Sequence, residues 1–243
     1  MTFTPTPDAL LPPLDPRLEL VLLARTLRHE GYEEHLSGHI TIRLDDGTLL
    51  CTPWFRLWDE FGPDDVLRID PEGNVVEGRW PAPPGITLHV ELHKARHDVG
   101  VALHAHSRHG TLWANAQQVP PCLDQSSALG GGTIVVVDEY QGAVNHTDAA
   151  AAAVAAMGDA DMALLAHHGV FVLGRSVRAV HQRAVALEHR CRTAWLVAQL
   201  GVEPAALPDA VRERFGRGGG ESFVGFWEAM ARRELRADPD LLS

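Results

Sequence analysis

Apolar residues recur along this chain with two periods, and the switches between them predict its elements. "DPRLELVLLARTLRHEGY" (15–32) sets Leu18, Leu22, Leu23 and Leu27 at helical spacing with charges between them, and Gly31 supplies a stop. "HITIRLDDGTLLCTP" (39–53) alternates with period two around an Asp-Gly pair, which predicts a β-hairpin. "DVLRIDPEGNVVEG" (65–78) repeats the theme with Glu-Gly-Asn at its turn. "ITLHVELHKARHD" (86–98) reads as a helix with His89, His93 and Arg96 along one face, and "VGVALHAH" (99–106) as a strand. "GTIVVVDEY" (132–140) is a further strand, and "TDAAAAAVAAMG" (147–158) a helix with Thr147 or Asp148 as N-cap. "DMALLAHHGVFVLG" (161–174) reads as strand, turn and strand. A long amphipathic helix follows, from the N-cap Ser176 to the terminator Gly201, and "SFVGFWEAMARRELRAD" (222–238) holds a last short one. The prolines of "MTFTPTPDALLPPLDP" predict an extended, mobile arm over residues 1–16. No repeat or long linker divides residues 17–243, which read as a single α/β domain with a mostly antiparallel sheet and helices on its faces.

Composition narrows the function classes. An apolar fraction of 45% and a charged fraction of 22% are those of an ordinary globular protein. The net charge of −11 comes from scattered acids, and no basic stripe exists to neutralise phosphates, so nucleic acid and anionic membrane are excluded as partners. Cys51, Cys122 and Cys191 lie far apart without a C-x-x-C pair, which argues against a disulfide scaffold or a thiolate zinc cage and fits a reducing compartment. Neither a signal peptide nor an apolar run of the roughly 20 residues needed to span a bilayer is present. A cytoplasmic location is expected.

The chemistry is carried by histidine. With fourteen in the chain, roughly one H-x-H and one H-H arise by chance, so context must decide. In "VALHAHSRHG" (101–110), His104 and His106 fall on one face of an apolar strand, while Val101, Leu103 and Ala105 take the other. Two imidazoles there cost free energy unless something pairs with them, and a divalent metal does so. "LLAHHG" offers a third ligand, and on a strand only one of His167 and His168 can share the metal's face. Three histidines with open positions are the pattern of a catalytic rather than a structural metal.

These segments resemble the class II aldolase/adducin family. "SGHITIR" (37–43), "ITLHVELHKARHDVGVALHAHS" (86–107) and "LLAHHGVFVLG" (164–174) are similar to its hairpin, its helix with the following H-x-H strand, and its later histidine–glycine strand end, in order and spacing. The likeness runs from about residue 17 to residue 235. It implies the family's α/β/α fold and a divalent metal on His104, His106 and His168. Zinc ranks first, with iron, manganese or cobalt as alternatives. It also implies a homotetramer with the metal near a subunit boundary.

Two departures shape the expected reaction. Where the family's sugar-phosphate aldolases hold phosphate with small residues, this chain has His39, Trp54, Phe55, Pro83 and Pro84. Prolines lack N–H groups and Trp54 is bulky, so a phosphorylated sugar is not expected. Where those aldolases carry a proton-transferring glutamate, this chain has Gly85. Decarboxylation tolerates that loss, because a metal chelating an oxo or hydroxy acid acts as Lewis acid and electron sink. The expectation is a metal-dependent carbon–carbon lyase, decarboxylase or aldolase, for a small non-phosphorylated oxo- or hydroxy-carboxylate, with aromatic acids among the candidates. The rivals are a non-heme iron oxygenase on an aromatic oxo acid and a non-enzymatic, adducin-like interaction domain.

His39, His109 and Tyr140 are the candidate catalytic groups, and Trp54, Phe55 and Gly85 the candidate substrate contacts, with Trp58 as a further pocket wall. Arg43 is expected to pair with a carboxylate of the fold, and His89 and His93 to be core or to support the ligands. Asp124 and Gln125 lie where the family's subunit-interface acid loosely falls.

Overall fold

The alternating apolar positions sort into two cores, one on each side of a single sheet. A computed structural model describes residues 6–138, 147–217 and 224–242. Part of the proline-rich arm is helical rather than extended: α1 (Pro7–Leu10) is one turn, capped by Thr6. Leu11 is buried behind it and Arg232 donates to the Leu10 carbonyl at 2.7 Å. Asp15 then caps α2 (Pro16–His29), whose N1 proline needs no hydrogen-bond partner for a missing N–H.

Both predicted hairpins form, as β1 (His39–Arg43) with β2 (Leu49–Cys51) and β3 (Leu67–Ile69) with β4 (Val75–Glu77). The chain continues through α3 (Ile86–Ala95), β5 (Val101–Ala105), α4 (Gly110–Ala116), α5 (Gln125–Ala128), β6 (Ile134–Val137) and α6 (Thr147–Met157). Next come β7 (Met162–Leu165), β8 (Gly169–Gly174), α7 (Val177–Ala198), α8 (Asp209–Gly216) and α9 (Phe226–Ala237). Thr147 and Asp148 therefore lie inside the first turn of α6 instead of capping it. Ser176 does cap α7, accepting from the Ala179 amide. Among the described residues the sheet has eight strands in the order β4-β3-β2-β1-β5-β8-β7-β6. Only the β6–β7 pairing is parallel, so the sheet is mostly antiparallel as expected.

On one face, Ile40, Ile42, Val101, Leu103, Ala105, Val170 and Val172 pack against α2, α7 and α9. On the other, Ala102, Phe171 and Leu173 meet Leu88 and Leu92 of α3 and Val154 and Met157 of α6. Each such large side chain contributes about 1.5–3 kcal/mol by leaving water. That burial fixes strand register, since a one-residue slip would exchange the faces. The consequence for function is positional. His39, Thr41, Arg43 and His104 must all turn to the α3 side, because their neighbours in sequence fill the first core. Trp58 belongs to that first core, is 3% exposed, and is not among the residues lining the cavity beside His104, His106 and His168. No described helix is long and apolar enough to cross a membrane.

Candidate metal centre

At one end of the β5–β8 pair, three histidines converge. His104 sits within β5, His106 just beyond its end, and His168 in the turn that joins β7 to β8. One ring nitrogen from each lies within 4.8 Å of the other two. The ring centroids are 5.2 Å apart for His104–His106, 4.5 Å for His104–His168 and 4.9 Å for His106–His168. His167 is turned away: it is exposed, has φ of 57°, and accepts a hydrogen bond from Gln117 Nε2 at 3.0 Å. The pair occupies a turn rather than a strand, so strand alternation is not what separates His167 from His168. A left-handed backbone at His167 does it.

The rings are oriented by their outer nitrogens. His104 Nδ1 donates to the Val170 carbonyl at 3.1 Å, and His106 Nδ1 to Glu34 Oε2 at 2.7 Å. A neutral imidazole with its proton on Nδ1 keeps a lone pair on Nε2, the arrangement by which carboxylates and carbonyls orient metal-binding histidines. His106 Nε2 is buried with no hydrogen-bond partner among the described residues. Burial holds His104 well below the usual imidazole pKa and brings His168 down to about 4, with the neighbouring histidines adding to both shifts. Three converging imidazole nitrogens, one of them buried without a hydrogen-bond partner among the described residues, fit a divalent cation. Gly169 permits the approach: a Cβ there would lie 2.5 Å from the Ala105 carbonyl oxygen and 2.7 Å from His106 Cδ2. Glu34 was not foreseen, for it lies 72 residues from His106 and no spacing pattern links them.

The histidines open onto a cavity of about 150 Å³ walled by Ser37, His39, Trp54, Pro84, Gly85 and Leu88. Among the described residues, no carboxylate, lysine or arginine lines it. Trp54 and Gly85 thus stand at the cavity. Gly85 has φ of 81° and opens α3 as its N-cap. Phe55 does not line it; its backbone is left-handed at φ 69°, and its ring lies 58% exposed against Trp54. His39 is 4% exposed, with its ring 5.1 Å from that of His104. Burial pushes its pKa down to about 3, partly opposed by the Gly85 backbone. It is held neutral and cannot serve as an imidazolium acid.

The other candidates lie elsewhere. His109 lines a separate cavity on the α2–α7 side, where its Nδ1 meets Glu188 Oε1 at 2.6 Å. Tyr140 lies outside the described residues. Among the described residues Arg43 pairs with no carboxylate; its guanidinium donates to the carbonyls of His93, Arg96 and His97. Asp124 caps α5 and meets His189 Nε2 at 2.8 Å, and Gln125 begins that helix.

The sequence profile described as "Class II Aldolase and Adducin N-terminal domain" matches residues 18–195. A 5-methylthioribulose-1-phosphate/5-deoxyribulose-1-phosphate aldolase of Rhodospirillum rubrum is 30% identical over 197 residues, covering 80% of this chain and 86% of the relative. The decarboxylase NovR of Streptomyces niveus is 27% identical over 229 residues, 90% of this chain and 84% of the relative. Among solved structures, an aldolase II superfamily protein from Pseudomonas syringae superposes with a TM-score of 0.81 at 22% identity, covering 95% of this chain and 98% of that one. Its likeness extends the shared fold over nearly the whole chain. With this fold, the profile match across most of the chain and these relatives, the protein belongs to the class II aldolase and adducin family.

Proposed function

We propose that this protein is a divalent-metal-dependent carbon–carbon lyase, decarboxylase or aldolase, acting on a small non-phosphorylated oxo- or hydroxy-carboxylate. The observation that carries the reading is the convergence of the nitrogens of His104, His106 and His168 beside a cavity that no carboxylate lines among the described residues. These three residues would hold the ion, which when bound supplies Lewis acidity and an electron sink to a chelated acid. Zinc is the first choice, and iron, manganese and cobalt suit the same donors.

The chain's own residues set the rest. Trp54, Pro84 and Leu88 give the cavity apolar walls that favour a small, flat or aromatic acid. Pro84 has no N–H, and no lysine or arginine among the described residues lines the space, so a phosphate would find few donors there. His39, neutral and buried, offers an N–H or a lone pair to orient a substrate oxygen by hydrogen bonding, without taking up a charge. Gly85 leaves no carboxylate for proton transfer at carbon, which favours decarboxylation over aldol chemistry. The relatives include both an aldolase and a decarboxylase. We place the protein in the cytoplasm as a homotetramer; exposed Leu112, Trp195, Leu196 and Leu200 support assembly.

The test is elemental analysis of protein purified without added metal, followed by a panel of oxo and hydroxy acids assayed for carbon dioxide and aldehyde release in an oxygen-electrode cell. Product release without oxygen uptake is expected. Oxygen consumption would assign an oxygenase, and a chain that retains no ion would remove the enzyme reading.

A further inference from the structure

Behind His39, the α3-facing side of β1 and the sheet-facing side of α3 enclose a file of polar groups in an otherwise apolar layer. Thr41 and His89 are fully buried and His93 is 6% exposed. The His89 ring lies 4.5 Å from that of His39, centroid to centroid. Thr41 Oγ1 lies 2.8 Å from His89 Nδ1 and 2.9 Å from His93 Nε2. His93 Nδ1 lies 3.2 Å from Arg43 Nη2. The file runs from the wall of the candidate site to a second, open cavity lined by Arg43, His93 and His97.

Donor and acceptor rules give this file one direction. Arg43 Nη2 also donates to the carbonyls of His93 and Arg96, so it shares one of its two hydrogens with His93 Nδ1 in a bifurcated bond, in which that nitrogen can only accept. A neutral ring that accepts at Nδ1 carries its proton on Nε2, and that N–H donates to Thr41. A hydroxyl has a single hydrogen, so Thr41, having accepted from His93, donates to His89 Nδ1. His89 then carries its proton on Nε2. The Val99 carbonyl near His93 draws a proton toward that ring, but a proton on Nδ1 would face the Arg43 cation at 3.2 Å. The cation dominates.

We propose that Arg43 is a positioning residue that acts on the candidate site through a one-way file of hydrogen bonds, Arg43 to His93 to Thr41 to His89, fixing His89 as its Nε2–H tautomer against the ring of His39. The bearing of the file on catalysis rests on the reading of His39 as a working wall of the cavity. The file itself rests only on its own contacts. It is a lock and not a proton wire, because a wire must pass through a charged ring. Burial, reinforced by Arg43, pushes His93 down to about 3, so about one molecule in ten thousand holds that charge at neutral pH. Burial also lowers His89 well below its ordinary value.

The experiment is long-range proton–nitrogen correlation spectroscopy of metal-free, ¹⁵N-histidine-labelled protein between pH 6 and 8, with rings assigned through single His→Gln variants. His89 and His93 are both expected as Nε2–H tautomers without titration. An Nδ1–H tautomer, a tautomeric mixture or a cation at either ring overturns the proposal, and this wild-type spectrum needs no variant to fold. Arg43→Met is expected to unsettle the tautomer of His89, which Arg43 does not touch; an unchanged His89 signal would show that the file only packs. Thr41→Val is expected to release His89 while His93 keeps its tautomer, and Thr41→Ser to restore both; failure of that rescue counts against the file. Metal retention is measured separately, so the lyase reading can fail while the file stands, and the reverse.

Discussion

Glu34 Oε2 holds His106 Nδ1 at 2.7 Å, and the same ring's Nε2 is buried with no hydrogen-bond partner among the described residues. The carboxylate fixes both the tautomer and the rotation of a ring whose free nitrogen faces the cluster. Glu34→Ala is expected to weaken metal affinity by about 10- to 100-fold, the usual effect of losing an outer partner of a metal-binding histidine. Glu34→Gln, which still accepts from Nδ1–H, should lose less. Competition with a chromophoric chelator measures both.

Replacing His104, His106 or His168 with alanine is expected to abolish metal retention, whereas His167→Ala should retain nearly all of it. His167 faces Gln117 from the outside of the turn. Metal content by elemental analysis decides, and equal loss from His167→Ala would overturn the ligand set.

Gly169→Ala forces a methyl to within 2.5 Å of the Ala105 carbonyl oxygen, in the ladder that carries the ligands. Since the neighbour is backbone, β8 must move away from β5. A stability loss of roughly 1–3 kcal/mol is expected from such overpacking, with reduced metal retention. Denaturant titration and metal analysis of one preparation check the two effects together.

Fuculose and ribulose phosphates are expected to give no turnover above background under conditions where an oxo acid is consumed. Introducing a carboxylate at Gly85 should not create an aldolase, because φ of 81° there costs an L-residue roughly 1–2 kcal/mol and would tilt its side chain. Sugar-phosphate cleavage by wild-type protein in a coupled dehydrogenase assay would refute the phosphate argument.

His181 on α7 is 1% exposed, packs on Trp227 and has no hydrogen-bond partner for either ring nitrogen among the described residues. Burial pushes it down to about 4, partly opposed by Glu228. A depressed folded pKa favours the neutral ring, so its stability contribution is complete above about pH 6.5 and is lost as the pH falls toward 4. At pH 5 the loss is about 2 kcal/mol from this group alone. His181→Leu should remove that increment and flatten the acid limb of the unfolding free energy, measured by urea titration at pH 7 and pH 5.

What the sequence makes legible follows from periodicity and falters where contacts are long-range. Alternation places His104 and His106 together because Leu103 and Ala105 have an apolar core to enter. Leu18 to Leu27 mark α2 by the same logic. The selection between His167 and His168 came from family likeness, since the local rule applied to them presupposes a strand and they occupy a turn. Trp58 and Phe55 both leave the pocket wall expected of them, one for the core and one for the surface, because aromatic character says nothing of which core is nearest. Arg43 satisfies itself on carbonyls at the end of α3, and carbonyls leave no mark in sequence. The short helices α4, α5 and α8 lack a full amphipathic repeat and were not anticipated. Glu34 is legible only once the ends of β1 and β5 are brought together.

The His104–Phe171 register in the middle of the sheet has a consequence for biosynthesis. Two candidate ligands leave the ribosome some sixty residues before the third, yet all three meet only when β8 has docked against β5. An ion held by these three would therefore be captured by a nearly finished sheet and not by the emerging hairpins. Once captured, it would tie neighbouring central strands together where a single chelator can release them.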